Sequence, residues 1–136
     1  MGRIMCIDYG GKRCGLAVTD PLRIIASALT TVESHKLSQF LKDYFSKEAV
    51  DLVLIGMPTR FDDTDTHATP LVRKFILHFK KEFPTIPIEE VDERFTSKLA
   101  SQAMIDMGMK KKQRQEKGRV DQIAATIMLQ EYLQKF

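Results

Sequence analysis

The sequence predicts an α/β protein in which a mixed five-stranded sheet is flanked by helices. Short apolar segments bounded by Gly and Pro are typical of strands, and later segments repeat their apolar residues every three or four positions, as amphipathic helices do. After the first 32 residues the two kinds of segment alternate, which is typical of parallel strands joined through helices. The length of 136 residues fits one domain, residues 1–136, with one core.

The first 32 residues are expected to form an antiparallel meander of strands 1 to 3. The first strand is predicted at 4–8 and the second at 14–19, and the Gly10-Gly11 pair between them indicates a turn. Asp20-Pro21 marks another turn before a third strand at 24–32.

Helices are expected from residue 34 onward, and strands 4 and 5 between them should be parallel. Ser34 is a plausible N-cap for a first helix with apolar residues from Leu37 to Tyr44. The continuously apolar segment 52–55 predicts a parallel strand covered on both faces. The remaining predictions are an acidic loop at 60–69, a helix at 72–83, a strand at 86–91, a helix at 96–107 and a last helix at 120–133.

The composition, 43% hydrophobic and 29% charged, excludes a disordered or collagen-like chain. No stretch reaches the roughly 18 apolar residues of a membrane helix, so we expect no membrane span. Asp8 interrupts the position where a signal peptide is apolar, which predicts a cytoplasmic location. Cys6 and Cys14 lack the paired spacing of a zinc site and are expected to be reduced thiols.

The formal charge of +3 is concentrated in one basic segment, residues 110–119. Six cations and Glu116 give this segment a charge of +5, so the rest of the chain is slightly acidic. The cations are Lys110, Lys111, Lys112, Arg114, Lys117 and Arg119. A concentrated basic segment suits contact with a polyanion, although a solvated surface loop has the same composition.

Three carboxylates, Asp8, Glu93 and Asp121, each stand where a predicted element begins or ends. Ligands of open α/β sheets bind at such strand ends. Carboxylates gathered from distant positions repel one another, and a hard cation such as Mg²⁺ or Mn²⁺ is the usual reason to collect them. Two such ions can cleave a phosphodiester without a protein nucleophile.

Each carboxylate also has a structural explanation. In the first turn of the last helix, Asp121 would complement the helix dipole. Asp92 competes with Glu93, because strand alternation does not decide which of the two neighbours faces a cleft. Lys12 and Arg13 could hold phosphate, or belong to a solvated turn.

The motifs, taken in order along the chain, resemble those of the YqgF/RuvX family. They are Ile7-Asp8-Tyr9-Gly10, Lys12-Arg13 with Gly15, Gly56-Met57-Pro58, Val91-Asp92-Glu93-Arg94-Phe95-Thr96 and Lys117-Gly118-Arg119-Val120-Asp121 with Ala124-Ala125. The resemblance implies an RNase H-like fold and a cytoplasmic nuclease that processes the 5′ end of pre-16S ribosomal RNA, with the ribosome as an expected partner. It implies Asp8, Glu93 and Asp121 as catalytic and metal-binding residues with Mg²⁺ or Mn²⁺. The candidate nucleic-acid contacts are Lys12, Arg13, Arg94, Lys111, Lys112, Arg114, Lys117 and Arg119.

Several alternatives stay open on the sequence. Family members are also proposed to resolve branched DNA as Holliday junction resolvases, and a non-catalytic nucleic-acid-binding accessory or an actin-like ATPase would share parts of the pattern. A resolvase would be a homodimer, whereas trimming one RNA end requires only a monomer. Many relatives have a glycine in the loop after Pro58 where this chain has Asp63, which adds negative charge near the proposed cleft and disfavours substrate contacts through that loop.

Overall fold

The computed structural model describes residues 2–57, 69–92 and 117–134. Within them lie five strands: β1 (Arg3–Tyr9), β2 (Arg13–Thr19), β3 (Ala26–Glu33), β4 (Val50–Met57) and β5 (Ile88–Asp92). Three α-helices accompany them: α1 (Leu37–Lys47), α2 (Thr69–Glu82) and α3 (Lys117–Gln134). A single 3-10 turn at Ser34–Lys36 precedes α1. None of these helices has the length and hydropathy that a membrane crossing requires.

The strands form one mixed sheet in the order β3-β2-β1-β4-β5. The pairs β1–β2 and β2–β3 are antiparallel, whereas β1–β4 and β4–β5 are parallel. The predicted α/β class, the meander of strands 1 to 3 and the parallel arrangement of strands 4 and 5 are therefore confirmed. The predicted helix at 96–107 and the Asp62-Asp63 loop lie outside the described residues.

The two faces of the sheet are covered by different helices and different side chains. The cluster on one face includes Leu37 and Leu41 of α1 and Val72, Phe75 and Phe79 of α2. The cluster on the other face packs Ala125, Met128 and Leu129 of α3 against small strand residues, which are Cys6, Ala17 and Ala26. Because strand side chains alternate between faces, β1 contributes Met5 and Ile7 to the first face and Ile4 and Cys6 to the second.

Two local predictions were wrong for reasons of hydrogen bonding. Ser34 does not cap a helix, because its hydroxyl donates to the carbonyl of Gly10 and the helical turn begins at Ser34 itself. The third strand begins at Ala26, since the amides of Ile24 and Ile25 both donate to Asp20 Oδ1 at 2.8 Å within the β2–β3 turn.

The last helix also begins earlier than expected. Lys117 and Arg119, assigned to a basic loop, belong to the first turn of α3, and Asp121 is its fifth residue. The dipole effect of a carboxylate is confined to the first turn. The alternative explanation of Asp121 as a first-turn residue is therefore weakened.

Candidate active site

The candidate site begins at Asp8, the penultimate residue of β1. Asp8 continues the alternation of Ile4 and Cys6, which pack in the cluster beneath α3, so its side chain belongs to the α3 face. Asp8 is half-buried, unlike the fully buried Cys6 before it. On the α3 face, apolar packing along β1 ends at Cys6, and the next position of that face is the carboxylate of Asp8.

A row of paired residues crosses the sheet at Asp8. Asp8 lies opposite Gly15 of β2, and Gly15 lies opposite Thr31 of β3. Directly opposed residues of antiparallel strands share a face, so the position beside Asp8 on the α3 face has no side chain. With strands about 4.8 Å apart, the Thr31 Cα lies roughly 10 Å from that of Asp8.

Helix α3 is attached to this same row. The Gln122 side-chain amide donates to the Thr31 hydroxyl at 2.8 Å, joining positions 91 residues apart in sequence. Gln122 directly follows Asp121, so the backbone of Asp121 is brought to the level of the sheet at which Asp8 lies. Ala125 is fully buried against the sheet, and its small side chain permits a close approach of the helix.

The β1–β2 turn at this end of the sheet is tightly held. A Cβ at Gly10 would come within 2.6 Å of the Arg13 carbonyl oxygen, so a side chain there would force the turn apart. Ser34 also donates its backbone amide to the Lys12 carbonyl at 2.9 Å. Lys12 is exposed in this turn, and Arg13 opens β2 as a half-buried residue. Arg13 shares the strand parity of Gly15 and Ala17, which places it on the α3 face with Asp8.

Tyr9 follows Asp8 but belongs to the opposite face. Its ring stacks on Phe75 of α2 with the centroids 4.9 Å apart. Burial, and to a lesser degree the nearby Cys14, raises the pKa of the Tyr9 hydroxyl above its ordinary value. Tyr9 is therefore neutral at physiological pH, and its ring anchors the strand end against α2.

The described residues contain only part of the predicted site. Asp8, Lys12 and Arg13 lie together at one end of the sheet. Lys117, Arg119 and Asp121 have a described helical backbone, without described side chains. The remaining predicted residues are outside the described ranges: Glu93, Arg94, Lys111, Lys112 and Arg114.

Sequence reasoning missed two residues of this site, Gln122 and its partner Thr31. A glutamine beside a carboxylate in an amphipathic helix has no distinctive pattern. Its hydrogen bond to Thr31 depends on the register of β3 against β2, in which a β-bulge lies between Leu16 and Ala17. This contact can therefore be found only from the three-dimensional structure.

The mixed sheet and its strand order β3-β2-β1-β4-β5 define an RNase H-like fold. A solved structure of similar fold is the Fowlpox virus resolvase in complex with Holliday junction DNA, with a TM-score of 0.59, 14% identity and coverage of 98% of this chain and 97% of that chain. At this identity the match concerns the fold alone.

The family follows from sequence comparison. A family model described as "RuvX: Holliday junction resolvase" matches residues 2–135. A Flavobacterium psychrophilum protein named "Putative pre-16S rRNA nuclease" is 56% identical over 133 residues, covering 98% of this chain and 97% of the relative. A Porphyromonas gingivalis protein of the same name is 47% identical, covering 98% and 96%. The chain belongs to the RuvX family, which confirms the resemblance found in its motifs.

Proposed function

We propose that this protein is a divalent-metal-dependent nuclease that processes the 5′ end of pre-16S ribosomal RNA in the cytoplasm. The relatives' name supports the RNA substrate, and the family description keeps branched DNA as the second substrate to be tested. The observation that carries the proposal is the Asp8–Gly15–Thr31 row with α3 attached to it through Gln122.

Asp8, Glu93 and Asp121 are the proposed catalytic carboxylates. Asp8 lies on the α3 face next to the last residue of β1, and the Gln122–Thr31 hydrogen bond brings the Asp121 backbone to the same level of the sheet. The glycine opposite Asp8 leaves the adjacent position without a side chain. Carboxylate oxygens suit Mg²⁺ or Mn²⁺, so the donor set fits the proposed ions.

Glu93 is the third carboxylate of the proposed site, and Asp92, the last residue of β5, is the alternative. Val91 packs against the cluster beneath α3, and its pairing partner in β4 is Gly56.

The ions, when bound, would supply an activated water and stabilise the leaving oxygen of the phosphodiester. The chain's own residues would position the substrate. Lys12 and Arg13 in the tightly held β1–β2 turn would bind a phosphate beside the scissile one. Arg94, Lys117 and Arg119, with the basic residues that precede α3, would bind neighbouring phosphates.

The test is cleavage by the purified protein and two matched variants. The substrates are a precursor carrying the 5′ leader of the small-subunit ribosomal RNA and a four-way DNA junction, each with Mg²⁺, Mn²⁺ or EDTA. Asp8→Asn should lower the rate by at least about 10²-fold, the usual cost of losing one catalytic electrostatic contact. The control is Asp43→Asn, because Asp43 is an exposed carboxylate on α1 whose contact is the Gln39 side chain at 3.0 Å.

Metal-dependent cleavage of the RNA alone by wild type and Asp43→Asn supports ribosomal processing. Cleavage of the junction alone assigns the protein to branched DNA. Unchanged cleavage by Asp8→Asn contradicts the proposed site. Glu93→Gln should be as damaging as Asp8→Asn, whereas Asp92→Asn should retain most of the activity, and the reverse result would exchange the two assignments.

A further inference from the structure

Helix α2 presents a basic surface that the proposed active site does not use. Arg73, Lys74, Lys80 and Lys81 are all exposed, and we call them the α2 basic face. The opposite side of the helix is buried in the core through Val72, Phe75, Ile76 and Phe79. At 100° per residue the four cations fall within an arc of about 120°, and the two pairs stand roughly 10 Å apart along the axis. They form one stripe, with the exposed Leu77 between the two pairs.

The charge of this stripe is not neutralised by its own helix. Glu82, the carboxylate in the last turn of α2, accepts from His78 at 2.7 Å. Within the described part of the chain, Lys74, Lys80 and Lys81 form no ion pair. Three lysines of the α2 basic face therefore have no counter-charge among the described residues.

The helix dipole explains the positions of two lysines of the α2 basic face. Lys80 and Lys81 lie in the last turn, where cations complement the dipole. Arg73 and Lys74 lie in the N-terminal half of a helix that has no acidic residue in its first turn. Lys74 is the sixth residue of α2, beyond the first turn, so the helix dipole does not account for its position.

The stripe starts close to the candidate active site. The Leu71 Cδ1 atom lies 3.6 Å from the position of a Cβ at Gly11, so the first turn of α2 touches the β1–β2 turn. One helical turn later, Phe75 stacks on Tyr9, the neighbour of Asp8. A phosphate backbone that passes the exposed Lys12 would meet Arg73 and Lys74 next, and then Lys80 and Lys81.

We propose that the α2 basic face binds the phosphate backbone of the nucleic acid on one side of the cleavage point, along the sheet face opposite Asp8. The inference rests on the proposed function, since it is the nucleic-acid substrate that supplies the complementary charge. A second copy of the chain is a poorer occupant, because a symmetric contact would place four cations against four cations.

The test compares two triple variants with the same change in charge. Lys74→Gln/Lys80→Gln/Lys81→Gln removes three exposed cations from α2. Lys36→Gln/Lys42→Gln/Lys47→Gln removes three exposed cations in or next to α1. Binding is measured in EDTA by fluorescence anisotropy with two labelled RNAs: a short hairpin, and the same hairpin extended by a 12-base-pair duplex arm.

Wild type and the α1 variant should bind the extended RNA about tenfold more tightly than the short hairpin. The α2 variant should lose this gain, and its slope of log K against log salt on the extended RNA should fall by about 2 to 3, since each lost phosphate contact removes 0.7 to 0.9. With Mg²⁺ and saturating RNA its kcat should be unchanged, while its KM rises.

Equal behaviour of the α1 and α2 variants on the extended RNA overturns the inference, even if both cleave RNA normally. A wild type that cleaves nothing, but whose preference for the extended RNA is lost only in the α2 variant, supports the surface and contradicts the nuclease. A wild type that sediments as a dimer and an α2 variant that sediments as a monomer would assign the stripe to self-association and overturn the inference.

Discussion

The two faces of the sheet differ in the size of the side chains that pack against them. The face under α1 and α2 is rich in aromatic rings: Phe79 contacts Phe75, Phe83 and Phe45 with centroids 5.0 to 6.3 Å apart. The face under α3 combines small side chains such as Ala17 and Ala125 with aliphatic ones such as Leu54 and Leu129. Large rings provide more buried area, whereas small side chains let a helix approach the strands closely.

Because of this difference, we expect one face to contribute mainly to the stability of the fold and the other mainly to the positions of the candidate catalytic residues. Losing a ring from the aromatic face removes much buried area but leaves the Asp8–Gly15–Thr31 row intact. Enlarging a small residue on the α3 face should alter the distance between the Asp121 backbone and Asp8. Mutations on the first face should therefore act mainly on unfolding, and those on the second mainly on cleavage.

The largest loss of stability is expected for Phe79→Ala. Phe79 is 1% exposed, so the variant should lose about 3 to 5 kcal/mol of unfolding free energy in urea. Its cleavage rate per folded molecule should stay within about twofold of wild type. Leu77→Ala in the same helix is the control, because Leu77 is 64% exposed and should change stability by less than about 0.5 kcal/mol. A loss of cleavage rate per folded molecule in proportion to the loss of stability in Phe79→Ala would contradict the proposed difference between the two faces.

Ala125→Leu tests the other face. The added volume has no free space beside a fully buried residue, so overpacking should cost about 1 to 3 kcal/mol. The helix should move outward, and the cleavage rate should fall more than in Phe79→Ala although the stability loss is smaller. Ala49→Leu, at an exposed position before β4, is the control. Normal cleavage by Ala125→Leu would show that α3 does not set the active-site geometry.

A smaller effect is expected from the Gln122–Thr31 hydrogen bond. Gln122→Leu, Thr31→Val and the double variant form a cycle in which the coupling energy should be about 0.5 to 1.5 kcal/mol. If the bond positions Asp121, each single variant should lower kcat with little change in KM. A coupling energy near zero, or a change confined to KM, would contradict this positioning role.

The fold class and strand pairing could be predicted from the sequence because they depend on local patterns. The continuous apolar segment at 52–55 predicted a buried parallel strand, and β4 is one. The Gly10-Gly11 pair predicted the first hairpin. Element ends were less accurate where a side chain bonds the backbone across a loop, as Ser34 does to Gly10 and Asp20 to Ile25.

For the candidate site, the sequence predicted which residues take part but not how they are arranged in space. Asp8 has a clear signal, since a carboxylate ends an apolar strand before two glycines. The attachment of α3 has none, because it depends on the register of three strands and on a bond spanning 91 residues. The α2 basic face was also missed, since its cations alternate with core residues and their common orientation follows from the helix.

The smallest predicted effect concerns the end of the sheet remote from Asp8. The Gly2 backbone amide donates to Asp51 Oδ2 at 2.7 Å, and the Arg23 guanidinium donates to the same oxygen at 2.8 Å. The Gly2 hydrogen bond, with a further contribution from Arg23, holds the pKa of Asp51 below its ordinary value of 3.8. The unfolded chain therefore binds a proton at higher pH than the native chain does. This contribution to stability is fully present above about pH 4 to 5 and is lost as the pH falls through the native pKa.

Asp51→Asn should consequently have a lower Tm than wild type at pH 7 and a shallower fall of Tm between pH 5 and pH 3. The difference should be small because both partners are substantially exposed, and it should shrink further in 1 M salt. Cleavage at pH 7 should be unchanged, since Asp51 lies in the second position of β4, and Asp8 lies where β1 ends. A loss of cleavage in Asp51→Asn without a change in Tm would mean that the two ends of the sheet are coupled. In that case the effects on stability and on cleavage would differ between the two faces of the sheet but not between the two ends of its strands.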